Sequence, residues 1–180
     1  MKLKTKDLVL AALLTCMAIV IPNIFPTLPL GPFSATAFSH LPVMISMFIS
    51  PVVAFATAVG SVIGFLIKCL SMPWIPARAA MHIPFSVAGA VMLKKNCNPY
   101  LVFFVTMLMH AGLEVLVLLP FLNTMPQNET WAFVTFVGTA LHHIIDFAVA
   151  VVILLPLTQA NCISYNVKEN FLFKKRREEK

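Results

Sequence analysis

Charge is what this chain has least of. Of its 180 residues, 11% are Asp, Glu, Lys or Arg against 59% hydrophobic, and the mean hydropathy is +0.90. A soluble domain carries charge on roughly a quarter of its residues. The twenty charges are also unevenly placed: thirteen lie in residues 1–7 and 168–180, leaving seven for the rest of the chain. That supply cannot cover a soluble surface, but a lipid-facing surface needs no more.

The usual signatures of catalysis are missing as well. Cys16, Cys69, Cys97 and Cys162 have neither CxxC nor CxxxC spacing. They indicate no disulfide framework and no cysteine zinc site, and read as small apolar filler. No HExxH run, nucleophile elbow or phosphate loop occurs, and Ser39-His40 and Ser86 have no local support for a triad. Without a Walker sequence the chain does not hydrolyse ATP itself, so any pump it serves draws on separate ATPase subunits.

The charge that is present lies mostly at the ends. Lys2, Lys4 and Lys6 open the chain, and Lys174, Lys175, Arg176 and Arg177 close it. These runs fit the positive-inside flanks of membrane helices better than a nucleic-acid surface, so no nucleic-acid partner is expected. The apolar stretch after Asp7 continues past Cys16 to Ile21, and Thr15 is a poor residue just before a lipoprotein cut. It reads as a retained first helix rather than a signal peptide.

The expected architecture is an all-α membrane protein, one domain over 1–180, built as a single bundle of six transmembrane helices. Apolar runs and proline breaks place the spans at about 7–22, 34–50, 51–70, 78–93, 100–121 and 131–157, with a basic tail over 162–180. Six spans put the N-terminus, the Lys94-Lys95 turn and the tail on one side, and the basic bias makes that side cytoplasmic. The longer loops, 22–33, 71–77 and 122–130, then face outside. Asn128-Glu129-Thr130 matches a glycosylation acceptor there, which means nothing in a bacterial protein.

Inside the apolar runs sit three polar pairs, each four residues apart: Arg78 and His82, His110 and Glu114, His142 and Asp146. That spacing puts each pair on one helix face. Ionisable groups in a bilayer normally face a bundle interior or a cavity. At ~1.5 Å per residue, Arg78 and His82 lie within about a turn of the outer face, His40 and Glu114 about 10 Å deep and His142 about 16 Å deep. All fall in the outer half of the membrane or at its midplane, which predicts one polar pocket below the outer loops.

Each group has a plainer reading. Arg78 at a helix end can snorkel to the interface, and Trp74 can belong to an aromatic belt. Glu114 and Asp146 can be internal ion pairs or protonated carboxyls satisfied by His110, His142 and His143, with His40 and His82 as hydrogen-bonded glue between helices. As a functional set, Arg78 offers a planar fork to a carboxylate or phosphate and Trp74 a wall for a ring. The His/acid pairs could instead ligate zinc, nickel or cobalt. In span one, Ala11/Thr15 and Ala12/Cys16 place small residues four apart, a face that another helix can approach closely, inside the bundle or from a partner.

With these features in hand, the chain resembles the substrate-binding S component of an energy-coupling factor (ECF) vitamin transporter. The resemblance covers nearly all of it: size, six spans, a basic N-terminus and a first span opening Leu8-Val9-Leu10-Ala11-Ala12-Leu13-Leu14. In that family an Ala-xxx-Ala pattern on span one contacts the transmembrane coupling subunit; here Ala11-xxx-Thr15 and Ala12-xxx-Cys16 replace it. The segments 32–42, Met47-Phe48-Ile49-Ser50-Pro51 and Ala77-Arg78-Ala79-Ala80-Met81-His82 resemble the niacin-type branch.

What the resemblance implies is a cell-membrane subunit that makes and breaks no bonds and carries no cofactor. It captures a vitamin, here niacin, from outside, docks on a coupling subunit with two ATPases and topples to release it inside. Niacin is a pyridine ring bearing a carboxylate. Arg78 would hold the carboxylate, Trp74 or Phe33 would stack on the ring, a histidine would bond the ring nitrogen, and Ala11, Ala12, Thr15 and Cys16 would dock the coupling subunit. A transition-metal uptake component and an intramembrane enzyme stay open as alternatives.

Overall fold

The computed structural model describes residues 4–30, 33–125, 129–163 and 165. Most of the expected basic tail, Lys2 and Asn128 of the acceptor tripeptide lie outside the described residues. The described chain is mostly helical: α1 Thr5–Ile24, α2 Leu41–Met47, α3 Pro51–Lys68, α4 Trp74–Ala80, α5 His82–Lys94, α6 Pro99–Leu118 and α7 Trp131–Gln159. A 3-10 turn, Leu119–Phe121, extends α6. Four of these stretches are long and apolar enough to cross a membrane: α1, α3, α6 with its extension, and α7.

Local chemistry sets several boundaries. Ser50 caps α3 by accepting from the Val53 amide at 3.2 Å, with Pro51 at the first position, where its missing N–H costs nothing. Asn98 and Pro99 open α6 in the same way, Asn98 accepting from the Tyr100 amide at 2.9 Å. Asn96 and Asn161, at φ 58° and 56°, follow α5 and α7 in the left-handed region that ends helices.

Three expectations need correction. The fold is not purely helical: β1 (Thr27–Leu30) and β2 (Phe33–Thr36) form an antiparallel hairpin with Thr27 opposite Thr36. For the same reason 34–50 is not one helix. Its first residues belong to β2, a turn through Phe38 at φ 62° follows, and only Leu41–Met47 is helical. All seven residues of α2 are buried, because it runs through the middle of the molecule against α3, α5 and α7.

The segment expected as a span at 78–93 starts earlier and is split. Pro76 falls in the first turn of α4, where a proline is tolerated, so the helix begins at Trp74. Pro84 lies within α5 and leaves the helix unbroken there. Its ring opposes the carbonyl four residues back, at Ala80, and the helix breaks between Ala80 and His82 instead. Arg78 and His82 therefore sit on two helices, not on one face of one.

Helix α1 packs chiefly on α3. A Cβ added at Gly60 would lie 2.9 Å from the Thr15 carbonyl oxygen, and one at Gly64 would lie 2.7 and 2.8 Å from those of Ile19 and Ala18. The glycines let the two backbones touch. Pro22 has no N–H to offer Ala18, which frees that carbonyl for the contact. Above it, Lys68 Nζ donates to the Phe25 carbonyl at 3.2 Å and to Thr27 Oγ1 at 2.7 Å, tying the end of α3 to the hairpin.

Candidate functional site

Beneath the hairpin the helices leave a polar cavity. Its roof is Phe33, Ser34 and Thr36 of β2, and Ser39 and His40 come from the turn below. The walls are Phe65 of α3, Ile75, Arg78 and Ala79 of α4, and His82 of α5. Glu114 of α6 and Thr139 and His142 of α7 complete it. Its empty space is about 350 Å³, counting the part open to solvent at its mouth.

Arg78 is 5% exposed and does not snorkel. Its Nε and Nη2 both donate to Glu114 Oε2, at 3.1 and 2.7 Å, and Nη1 reaches Ser34 Oγ at 3.4 Å. Its Cζ lies 5.0 Å from the centroid of the Phe33 ring, a cation–π contact. Phe33 is held there by Gly138, where a Cβ would come within 2.8 Å of the ring. Thr139 Oγ1 also donates to Glu114 Oε2.

Below this pair the imidazoles crowd together. The His40 ring lies 4.5 Å from that of His82, 4.8 Å from His110 and 4.4 Å from His142, centroid to centroid and nearly perpendicular. Asp146 Oδ2 accepts from the His40 backbone amide at 3.2 Å and is paired with His142 Nε2 at 2.9 Å. His82 Nδ1 bonds Ser61 Oγ at 2.9 Å. His110 Nδ1 meets His143 Nδ1 at 3.2 Å, and His143 Nε2 meets Thr106 Oγ1 at 3.2 Å.

The structure thus brings eight of the nine expected pocket residues into one connected set. Phe33, His40, Arg78, His82, Glu114 and His142 line the cavity, while His110 and Asp146 lie just behind the lining. Trp74 is the exception: it opens α4, is half-buried and does not border the cavity. It shares a helix face with Arg78 but lies one turn, about 6 Å, nearer the start of α4, and Phe65 and Ile75 supply the apolar wall in its place.

Sequence reasoning passed over Thr139, Ser34 and the support from Ser61 and Thr106. A signal for Thr139 exists: Thr135, Thr139 and His143 recur every fourth residue of α7 and are all buried, marking a polar stripe. Of the docking face, Thr15 packs on Gly60 inside the bundle, whereas Ala12 and Cys16 are exposed.

No family model matches the chain. No solved structure matches it either. The niacin transporter NiaX of Lactococcus lactis subsp. cremoris (strain MG1363) is 37% identical over 163 residues, spanning 83% of this chain and 73% of that protein. A transporter relative, together with four apolar helices, makes this a membrane protein and removes the intramembrane-enzyme reading. The chain belongs to the S components of energy-coupling factor vitamin transporters, in their niacin-type branch.

Proposed function

We propose that this chain is the substrate-binding subunit of an ATP-driven importer, that it takes up niacin from outside, and that the cavity under the hairpin is where the vitamin sits. The observation that carries this reading is the buried guanidinium of Arg78. Glu114 occupies its Nε/Nη2 edge, and the Nη1 edge lies beside Ser34 at the cavity wall. A guanidinium fixed on one edge presents the other, already oriented, to a carboxylate. Phe65 and Ile75 flank a flat ring, and His40, His82 or His142 supplies a ring nitrogen to pair with the pyridine nitrogen.

Import by such a subunit needs partners. The exposed Ala12/Cys16 face of α1 is the docking surface for a transmembrane coupling subunit, which joins the chain to two ATPases. Six crossings of the bacterial plasma membrane fit this role, with α2 and the turn before it as the second and α4 with α5 as the fourth. Both termini are then cytoplasmic, and lipid contacts the outer helix faces.

The test works from the ligand side, so no variant has to fold. Nicotinate and nicotinamide, its uncharged amide, are titrated calorimetrically into the purified protein. Nicotinate should bind at least tenfold more tightly, because only it offers a carboxylate to the Arg78 edge. Equal affinities, or no binding of either, would sink the assignment.

A further inference from the structure

The hydrogen-bond chain under the cavity admits a placement of the ring protons in which every donor meets an acceptor. Thr106 Oγ1 gives its hydrogen to the Val102 carbonyl at 2.8 Å, so towards His143 Nε2 it is an acceptor. His143 then bears its proton on Nε2 and accepts at Nδ1, and the neutral ring of His110 donates to it from Nδ1. That leaves His110 Nε2 as a bare lone pair. It lies 3.3 Å from Glu114 Oε1 with no hydrogen bond between them, and both residues are buried.

Two acceptors facing each other in a dry site repel unless something positive lies between or beside them. His82 has the same form. Ser61 takes its Nδ1 at 2.9 Å, and Nε2 is left for the cavity side. His40 Nδ1 is buried 3.2 Å from Asp146 Oδ2, outside hydrogen-bond geometry, so Asp146 holds that edge of the ring as Ser61 holds His82. One ligand atom from each of His40, His82, His110 and Glu114 can be chosen so that all four lie within 4.8 Å of one another. A tetrahedral ion with bonds of about 2.1 Å spaces its ligands roughly 3.4 Å apart, so a turn of the rings by about an ångström completes the set.

Metal-binding histidines characteristically have the second ring nitrogen tied to a fixed partner, as Ser61 and His143 tie His82 and His110 here. We propose that His40, His82, His110 and Glu114 hold one divalent transition-metal ion at the floor of the cavity, as a resident part of the substrate site. Three imidazoles and a carboxylate are the donors of a zinc-, cobalt- or nickel-type centre. The ion would border the cavity, where a pyridine nitrogen or carboxylate of the solute can join as a fifth ligand. This rests on the cavity being the substrate site.

The experiment uses full-length protein freed of any affinity tag and stripped with chelator. Cobalt(II) is titrated in and followed by its visible absorption, and nicotinate affinity is measured before and after loading. The ion should bind saturably at one equivalent, and stripping should weaken nicotinate binding at least tenfold. His82→Gln should abolish the cobalt spectrum. Ser61→Ala keeps every ligand, removes only the partner of His82 Nδ1, and should weaken cobalt binding by about 10–100-fold. It serves where His82→Gln fails to fold.

Absence of one-equivalent cobalt binding overturns the proposal, as does nicotinate affinity indifferent to stripping. In both cases tight nicotinate binding leaves the vitamin assignment standing. Cobalt uptake in a protein that binds nicotinate in neither state sinks the vitamin assignment, and with it the ion's role in the substrate site.

Discussion

Arg78 and Glu114 meet through a single oxygen: Nε at 3.1 Å and Nη2 at 2.7 Å both donate to Oε2, leaving Oε1 turned towards His110. The carboxylate joins two halves of the site. One oxygen orients the guanidinium, and the other belongs to the imidazole cluster below it. Breaking such a pair from one side leaves a buried charge without a partner.

Arg78→Ala should therefore cost about 3–5 kcal/mol of stability. The double variant Arg78→Ala/Glu114→Ala should be less destabilised than Arg78→Ala alone, because neither charge is then stranded. Thermal unfolding in detergent, followed by circular dichroism, measures both. A double variant that loses the sum of the single losses would show that the two residues act independently.

The glycines differ in the same measurable way. Gly64→Ala drives a Cβ to 2.7 and 2.8 Å from the backbone oxygens of Ile19 and Ala18, and backbone cannot step aside as a side chain can. It should destabilise by about 1–3 kcal/mol. Gly112→Ala in α6 meets nothing within 4 Å and should be neutral or stabilising by up to about 1 kcal/mol. Unfolding midpoints of the two variants, compared under one detergent, check the contrast.

How much of this was legible in the sequence follows from the range of the forces involved. The long apolar helices were readable because lipid exposure leaves its mark on every residue of a span: the expected 100–121 and 51–70 fall close to α6 and α3. The hairpin was not. Each strand has four residues, too few for an alternating pattern, and its stability comes from pairing and from Lys68, far away in sequence. The break at Met81 is not marked at its own position, because Pro84 acts on the carbonyl four residues upstream. A shared pocket for His40, His82, His110, Glu114 and His142 is expected from the four-residue spacing of the polar pairs, their cost in lipid and their similar depth. Which partner each would choose depends on rotamers, and spacing does not encode them.

Phe33 links the hairpin to the guanidinium, and Gly138 keeps it in place. Gly138→Ala puts a Cβ 2.8 Å from the Phe33 ring and must displace it. With the cation–π contact disturbed and the roof of the cavity shifted, nicotinate affinity should fall by roughly tenfold, since about 1.4 kcal/mol suffices for that. The fold should survive, because a phenylalanine side chain can move where backbone cannot. Calorimetric titration gives the affinity, and an unchanged unfolding midpoint shows that the loss is local. Full affinity in Gly138→Ala would mean that Phe33 takes no part in binding.

Helix α1 has two small-residue faces, and the structure uses one of them. Thr15 lies against Gly60, so a large residue there has to push α1 off α3. Ala12 and Cys16 are exposed on another side, next to Leu8, Val9 and Leu13, which are exposed as well. Without a hydrophobic driving force between helices in lipid, close approach along small residues is what holds two helices together. Ala12→Trp or Cys16→Trp should leave the unfolding midpoint and nicotinate affinity of the isolated chain as they are, yet abolish its co-purification with the coupling subunit and ATPases. Thr15→Trp should do the reverse in order of cause, lowering the midpoint first and losing the complex only as a consequence. Intact complexes with both Ala12→Trp and Cys16→Trp would move the docking surface to another helix.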